Sequence, residues 1–274
     1  MRILAVLVLA FPPGGRAATA ATTGISSNIS LRKRLHVNTL ITEPGTFELD
    51  VSGLYSFTNG IFTIPAALKY TPEGRHILWG RTEYSVAFDT LSLSNIGTTP
   101  LVQFSHTLTM TATVVLHDGK WLDIAIAPQT IVYRRDDAEV RLGAVAIARC
   151  DVGHNSFGGT FSWSGATRSS PTNPAGTYDA GFGFGRQLWG NGVVSRFTPH
   201  INGVVEKCTG QTQTMSAFEG VEYQATQRLA FDVSGQQVGF RGGPVDRQFV
   251  VGLTYNFGRG IRGPQHRPTY PWAL

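Results

Sequence analysis

His154-Asn155-Ser156 comes nearest, in this chain, to a nucleophile with its base. A serine attacks only when a base lies within hydrogen-bond reach and a third group orients that base. The plainer reading is a tight turn, because Gly153, His154, Asn155 and Ser156 are turn-forming residues. His106, His117 and His200 fall on different segments, and no two have the spacing of a metal-binding pair. No glycine-rich loop leads from a strand into a helix, so no phosphate cradle is expected. The sequence therefore assigns no catalytic residue, no metal and no cofactor. The charged residues are more informative. Glu48, Asp50, Lys69, Arg81, Glu83, Asp123, Arg141, Arg149, Arg196, Glu206, Glu222 and Asp232, together with His200, share the wet side of segments whose other side is apolar. They mix both signs, as Arg81 with Glu83 and Arg196 with Glu206, and no row of one sign suggests an ion filter. Opposite charges enclosed together must pair. These residues are the candidate lining of a lumen.

The segments that carry them alternate strictly between apolar and polar. In the Thr-rich stretch 101–117, Val102, Phe104, Leu108, Met110, Ala112, Val114 and Leu116 lie on one face, with Gln103, Ser105, Thr107, Thr109, Thr111 and Thr113 on the other. A period of two is that of a pleated strand. The pattern recurs from residue 46 to 258 in about 12 segments of roughly 10 residues, the length of a tilted membrane-spanning strand. Thr58-Asn59-Gly60 and His117-Asp118-Gly119-Lys120 are turns. Pro65 lacks a ladder donor and predicts a bulge or weak pairing. Short connections follow Tyr70, His117, Trp189 and Tyr223, and long ones follow Phe88, Gly165 and Gly235, with a glycine-rich loop at 237–246. That asymmetry fits short periplasmic turns and longer outer loops, with Asn59 the exception. The segment EVRLGAVAIAR at 139–149 alternates less cleanly.

A soluble sandwich would also alternate. Three features favour lipid outside: the placing of the aromatics, an export signal, and a last strand, Phe249, Val251, Leu253, Tyr255 and Phe257, that ends in an aromatic on its apolar face. Aromatics cluster at strand ends, as in interfacial girdles. Charged residues are only 15% of the chain, against about 25% in soluble domains. Residues 1–20 read as a signal peptide: a basic start at Arg2, an apolar run from Ile3 to Phe11, and a small-residue cleavage site at Ala18-Thr19-Ala20. Residues 21–45 are a polar, flexible lead-in, and 259–274 are a Pro/Arg-rich tail. Arg32, Lys33, Arg34, Arg259, Arg262 and Arg267 sit in these arms, so the net charge of +5 points to solvated ends rather than to nucleic acid. Cys150 and Cys208 map to opposite ends of the sheet, too far apart to bridge.

The last third holds more particular words. SRFTPHINGVVE, the hairpin GVEYQATQRLAFDVSGQ and the strand VVGLTYNFG resemble the outer-membrane family tied to the meta-pathway of phenol degradation. Phe257 resembles the terminal aromatic by which outer-membrane barrels are recognised, although further residues follow it here. The His-x-Ser spacing is similar to that of the outer-membrane phospholipase. The family resemblance implies a channel or transporter-like barrel associated with aromatic catabolism, and no binding residues follow from it. The expectation is an all-β, up-and-down transmembrane β-barrel of about 12 antiparallel strands in the outer membrane of a Gram-negative bacterium, both termini periplasmic. Its partners are outer-membrane lipid and a small solute, aromatic on the resemblance. It is expected not to be an enzyme. The competing readings are a sealed structural or surface-interaction barrel, an outer-membrane hydrolase using Ser156, and a secreted sandwich or soluble barrel.

Overall fold

The alternating segments join into a single closed sheet. The computed structural model describes residues 41–258 apart from 43, 74–80, 95–100, 104–106, 120, 134–138, 169–174, 190–191 and 242–244. The residues read as a signal peptide, most of the expected lead-in, the C-terminal tail and His106 therefore lie outside the described residues. In chain order the strands are β1 (Thr46–Ser56), β2 (Ile61–Thr71), β3 (Thr82–Ser94), β4 (Leu101–Gln103), β5 (Thr107–Asp118), β6 (Leu122–Tyr133) and β7 (Glu139–Val152). They continue as β8 (Asn155–Ala166), β9 (Gly176–Arg186), β10 (Phe197–Cys208), β11 (Thr214–Gln224), β12 (Leu229–Arg241) and β13 (Asp246–Asn256). Each strand pairs antiparallel with the next, save that β3 pairs with β5 as well as with the short β4, and β1 pairs with both β2 and β13. With β4 a short flap on the end of β3, this is a closed 12-strand barrel. One 3-10 turn, Val194–Arg196, is the other regular element among the described residues. Glu48 opposes Asn256, so both ends of the sheet meet at one rim, the terminal end.

Register decides which residues enter. In β1, Thr46, Asp50, Ser52, Leu54 and Ser56 are buried, whereas Phe47 and Tyr55 are 46% and 40% exposed. Opposed residues share a face, so this assignment passes around the ring from strand to strand. The outer face is apolar on every side: Leu142, Phe161 and Phe182 are 53%, 56% and 62% exposed. A monomeric soluble surface does not carry such a belt, and no second sheet covers it among the described residues. The sandwich alternative therefore has no layer to bury these side chains. Closure also removes sheet edges, which hydrocarbon requires. Near the terminal end, outward rings pair as Phe47–Tyr70, Phe157–Phe184, Phe197–Tyr223 and Tyr255–Phe257, forming one girdle.

The details depart from expectation in places. The ladder shifts register beside Pro65, as a missing donor predicts. The expected loop at 237–246 begins later, because β12 continues to Arg241. Gly239 there holds a φ of 72°, and the register slips between Met215 and Ala217, so the glycines serve a bulge within the strand. β2 ends at Thr71 and β3 begins at Thr82, and β9 ends at Arg186 and β10 begins at Phe197, so these two connections are longer than expected and the length asymmetry between the two ends is weaker. Cys150 lies outward near the terminal end, Cys208 lies inward at the far end, and both are free.

Candidate functional site in the barrel lumen

The inner wall is built from the residues that alternate with the apolar belt. Near the terminal end, Lys69 Nζ lies 2.8 Å from Glu48 Oε1 and 2.7 Å from Asp50 Oδ2. Glu48 and Lys69 are directly opposed on β1 and β2, which explains the contact. Thr254 on β13 donates its hydroxyl to Asp50 at 2.6 Å. Glu83 on β3 is 1% exposed and accepts the backbone N–H of Thr42 at 2.7 Å. The Thr42 and Thr71 hydroxyls are 2.7 Å apart. Ile41 packs inside the barrel among Val115, Ala125, Ala127, Val145 and Ile147 of β5, β6 and β7. Thus the end of the stretch read as a flexible lead-in enters the lumen and leans on its wall.

Further round, Arg149 grips Asp151 with contacts of 3.1, 2.8 and 2.8 Å. Asp123, opposed to Arg149, accepts the Gly119 N–H at 3.1 Å. Arg141 donates to the Ser164 hydroxyl and carbonyl at 3.3 and 3.2 Å and to Thr177 at 2.7 Å. Glu206 opposes Asp179, and Cys208 donates its thiol to Glu206 at 3.3 Å. Ser162 donates to Asp179 at 2.7 Å. On the last strands, His200 Nε2 is 3.6 Å from Asp232 Oδ2, and Glu222 opposes Asp232. The His200 ring crosses Gly220, where a Cβ would fall 2.7 Å from its Nε2.

Glu48, Asp50, Lys69, Glu83, Asp123, Arg141, Arg149, His200, Glu206, Glu222 and Asp232 stand on the inner face of their strands. Arg81 and Arg196 are placed differently. Arg81 precedes β3 at the mouth, half exposed, and pairs with Asp118 rather than Glu83. Arg196 lies in the 3-10 turn between β9 and β10 and donates to the Ala225 carbonyl at 3.0 Å, away from Glu206. A count by twos failed there because the residue precedes its strand. Three inner carboxylates were not singled out, Asp151, Asp179 and Asp246. Asp151 keeps step with Arg149 on β7, and Asp179 and Asp246 alternate with the outward apolar residues of β9 and β13. Among the described residues, wall carboxylates outnumber the wall cations Lys69, Arg141 and Arg149, so the lumen is acidic although the chain is basic.

Ser156 belongs to β8, not to the turn, and faces inward at 7% exposure. Its Oγ has no hydrogen-bond partner among the described residues, so His154 is not its base. The His154 ring instead lies against Trp189, with centroids 5.6 Å apart. Ser156 aligns with Gly185 and then His200 across β8, β9 and β10, with the β9 backbone between them. Ser156 Oγ therefore touches no base among the described residues. Gly181, Gly183 and Gly185 face inward on β9 beside Gly158 of β8, while Phe182 and Phe184 face outward. The glycine run leaves that wall lined by bare backbone.

No family model matches the chain, and no curated relative does. Solved structures do match. The COG4313 outer membrane channel from Pseudomonas putida F1 aligns over 79% of this chain and 97% of its own, with a TM-score of 0.55 and 11% identity. The NanC porin aligns over 76% of this chain and 98% of its own, with a TM-score of 0.53 and 10% identity. What the chain shares with them is the closed antiparallel β-barrel fold. At this identity the likeness is one of fold alone.

Proposed function

We propose that this chain is a passive outer-membrane channel for small polar solutes, with a preference for cations. The observation that carries the reading is the acidic inner wall: carboxylates such as Asp179, Glu206, Glu222 and Asp232 face an enclosed lumen bearing few cations among the described residues. A lumen in which one sign of charge predominates favours the opposite sign. The apolar belt supplies the low-dielectric wall, and the match to channel barrels supports the same role. Location in the outer membrane of a Gram-negative bacterium, with both sheet ends periplasmic, follows from this reading. The resemblance to the phenol meta-pathway family points to aromatic solutes. The wall favours polar ones, because Phe218 is the aromatic side chain among its described inner residues.

A second reading, a sealed barrel, draws on Ile41 and Thr42, which occupy the lumen near the terminal end. Planar-bilayer recording on the purified chain separates the two. Stepwise conductance with a reversal potential favouring cations in a salt gradient is expected. A silent barrel would sink the channel, and anion preference would sink the role given to the wall.

A further inference from the structure

On the outer face, at the middle of one strand, stands a carboxyl group that hydrocarbon does not suit. Glu219 is the middle residue of β11. It is opposed by Ile201 on β10 and Gly235 on β12, and it points outward in step with Ala217 and Val221. At mid-strand elsewhere the outward residue is apolar, as at Val51, Val86, Met110, Ile126 and Val251. Glu219 is exposed and has no hydrogen-bond or ion-pair partner among the described residues. A carboxyl group at this depth must find a donor, since acyl chains offer none.

The donor stands on the same face. Gln237 follows Gly235 by two positions on β12 and points outward, opposed to Ala217 and Arg247. Its amide likewise has no partner among the described residues. Between the two polar groups the surface is low. Ala217 is small, and a Cβ added at Gly235 would meet nothing within 4 Å. An acceptor and a donor thus flank a notch that lets a second backbone come close, the surface that packs well inside membranes.

We propose that the outer face of β11 and β12 is the contact surface of a symmetric dimer of this chain. Glu219 of each copy accepts a hydrogen bond from the partner subunit's Gln237. A two-fold axis along the membrane normal keeps both residues at their own depth and makes the contact twice, because in such an interface residue i meets j while j meets i. A lipid headgroup does not reach the middle of the belt. A different protein would have to bring a donor that this face already owns.

Sedimentation equilibrium of the full mature chain in density-matched micelles tests this. The native chain is expected to sediment as a dimer, and Glu219→Gln, which still accepts a hydrogen bond, is expected to keep it. Glu219→Leu combined with Gln237→Leu is expected to raise the dissociation constant about tenfold or more. Leucine suits a lipid-facing strand, so the double variant still folds, which heat-modifiable gel migration verifies. A native chain that is monomeric at every protein-to-detergent ratio overturns the dimer, and so does a double variant with an unchanged dissociation constant. Single-channel conductance reports on the pore alone and stays at the native value in either case.

Discussion

On β5, β6 and β7 the inner wall packs Val115, Ala125, Ala127, Val145 and Ile147 around Ile41. On β8, β9 and β10 the same layer is Gly158, Ser162, Gly181, Gly183 and Asn202. One wall is oily and holds a piece of the chain. The other is small and polar. The outer faces of the two regions are alike, with Leu122, Ile124 and Ile126 on one and Phe157, Phe161 and Phe182 on the other. Lipid therefore fixes the outward residues everywhere, whereas the inward ones answer to whatever the barrel encloses locally.

The contrast can be attacked most strongly at Ile41. Ile41→Asp sets a charge in an apolar cluster, and the segment is expected to leave the wall. Conductance in planar bilayers then rises several-fold; an unchanged current would show that Ile41 does not narrow the path. Ile147→Ala removes a nearly fully buried side chain from the oily wall. It should lower stability by about 2–5 kcal/mol in urea unfolding from detergent. Gly183→Leu works from the other side, forcing a side chain into a wall of backbone. A loss of about 1–3 kcal/mol with reduced conductance is expected. Asp179→Asn with Glu206→Gln should leave stability nearly unaltered while moving the reversal potential toward zero. Ser156→Ala is expected to change stability by less than about 0.5 kcal/mol. Lipid hydrolysis should stay at background in both the native chain and this variant; activity lost with Ser156 would restore the enzyme reading.

The barrel and its inside–outside pattern were legible because period two is imposed by the pleat and by lipid. The stretch EVRLGAVAIAR read poorly for the same physical reason. Val145 and Ile147 face inward and are buried against Ile41, while Ala144, Ala146 and Ala148 face outward, so both sides of β7 are apolar there. No rule of alternation marks a strand with two oily faces. Ion partners were the least legible. Sequence neighbours suggested Arg81 with Glu83, but register set Arg81 beside Asp118, and Glu83 took a backbone N–H from Thr42. Glu219 was open to a simple count from Met215 to Tyr223, where it breaks the outward series.

The seam between β1 and β13 joins the first strand to the last, from Glu48 with Asn256 to Ser56 with Gln248. Nothing made earlier in synthesis can stand in for that final ribbon. A chain stopped short of Asp246 would present raw amides from two strands to acyl chains, each costing several kcal/mol. Entry into the bilayer is thus an all-or-none event that waits for the finished polypeptide.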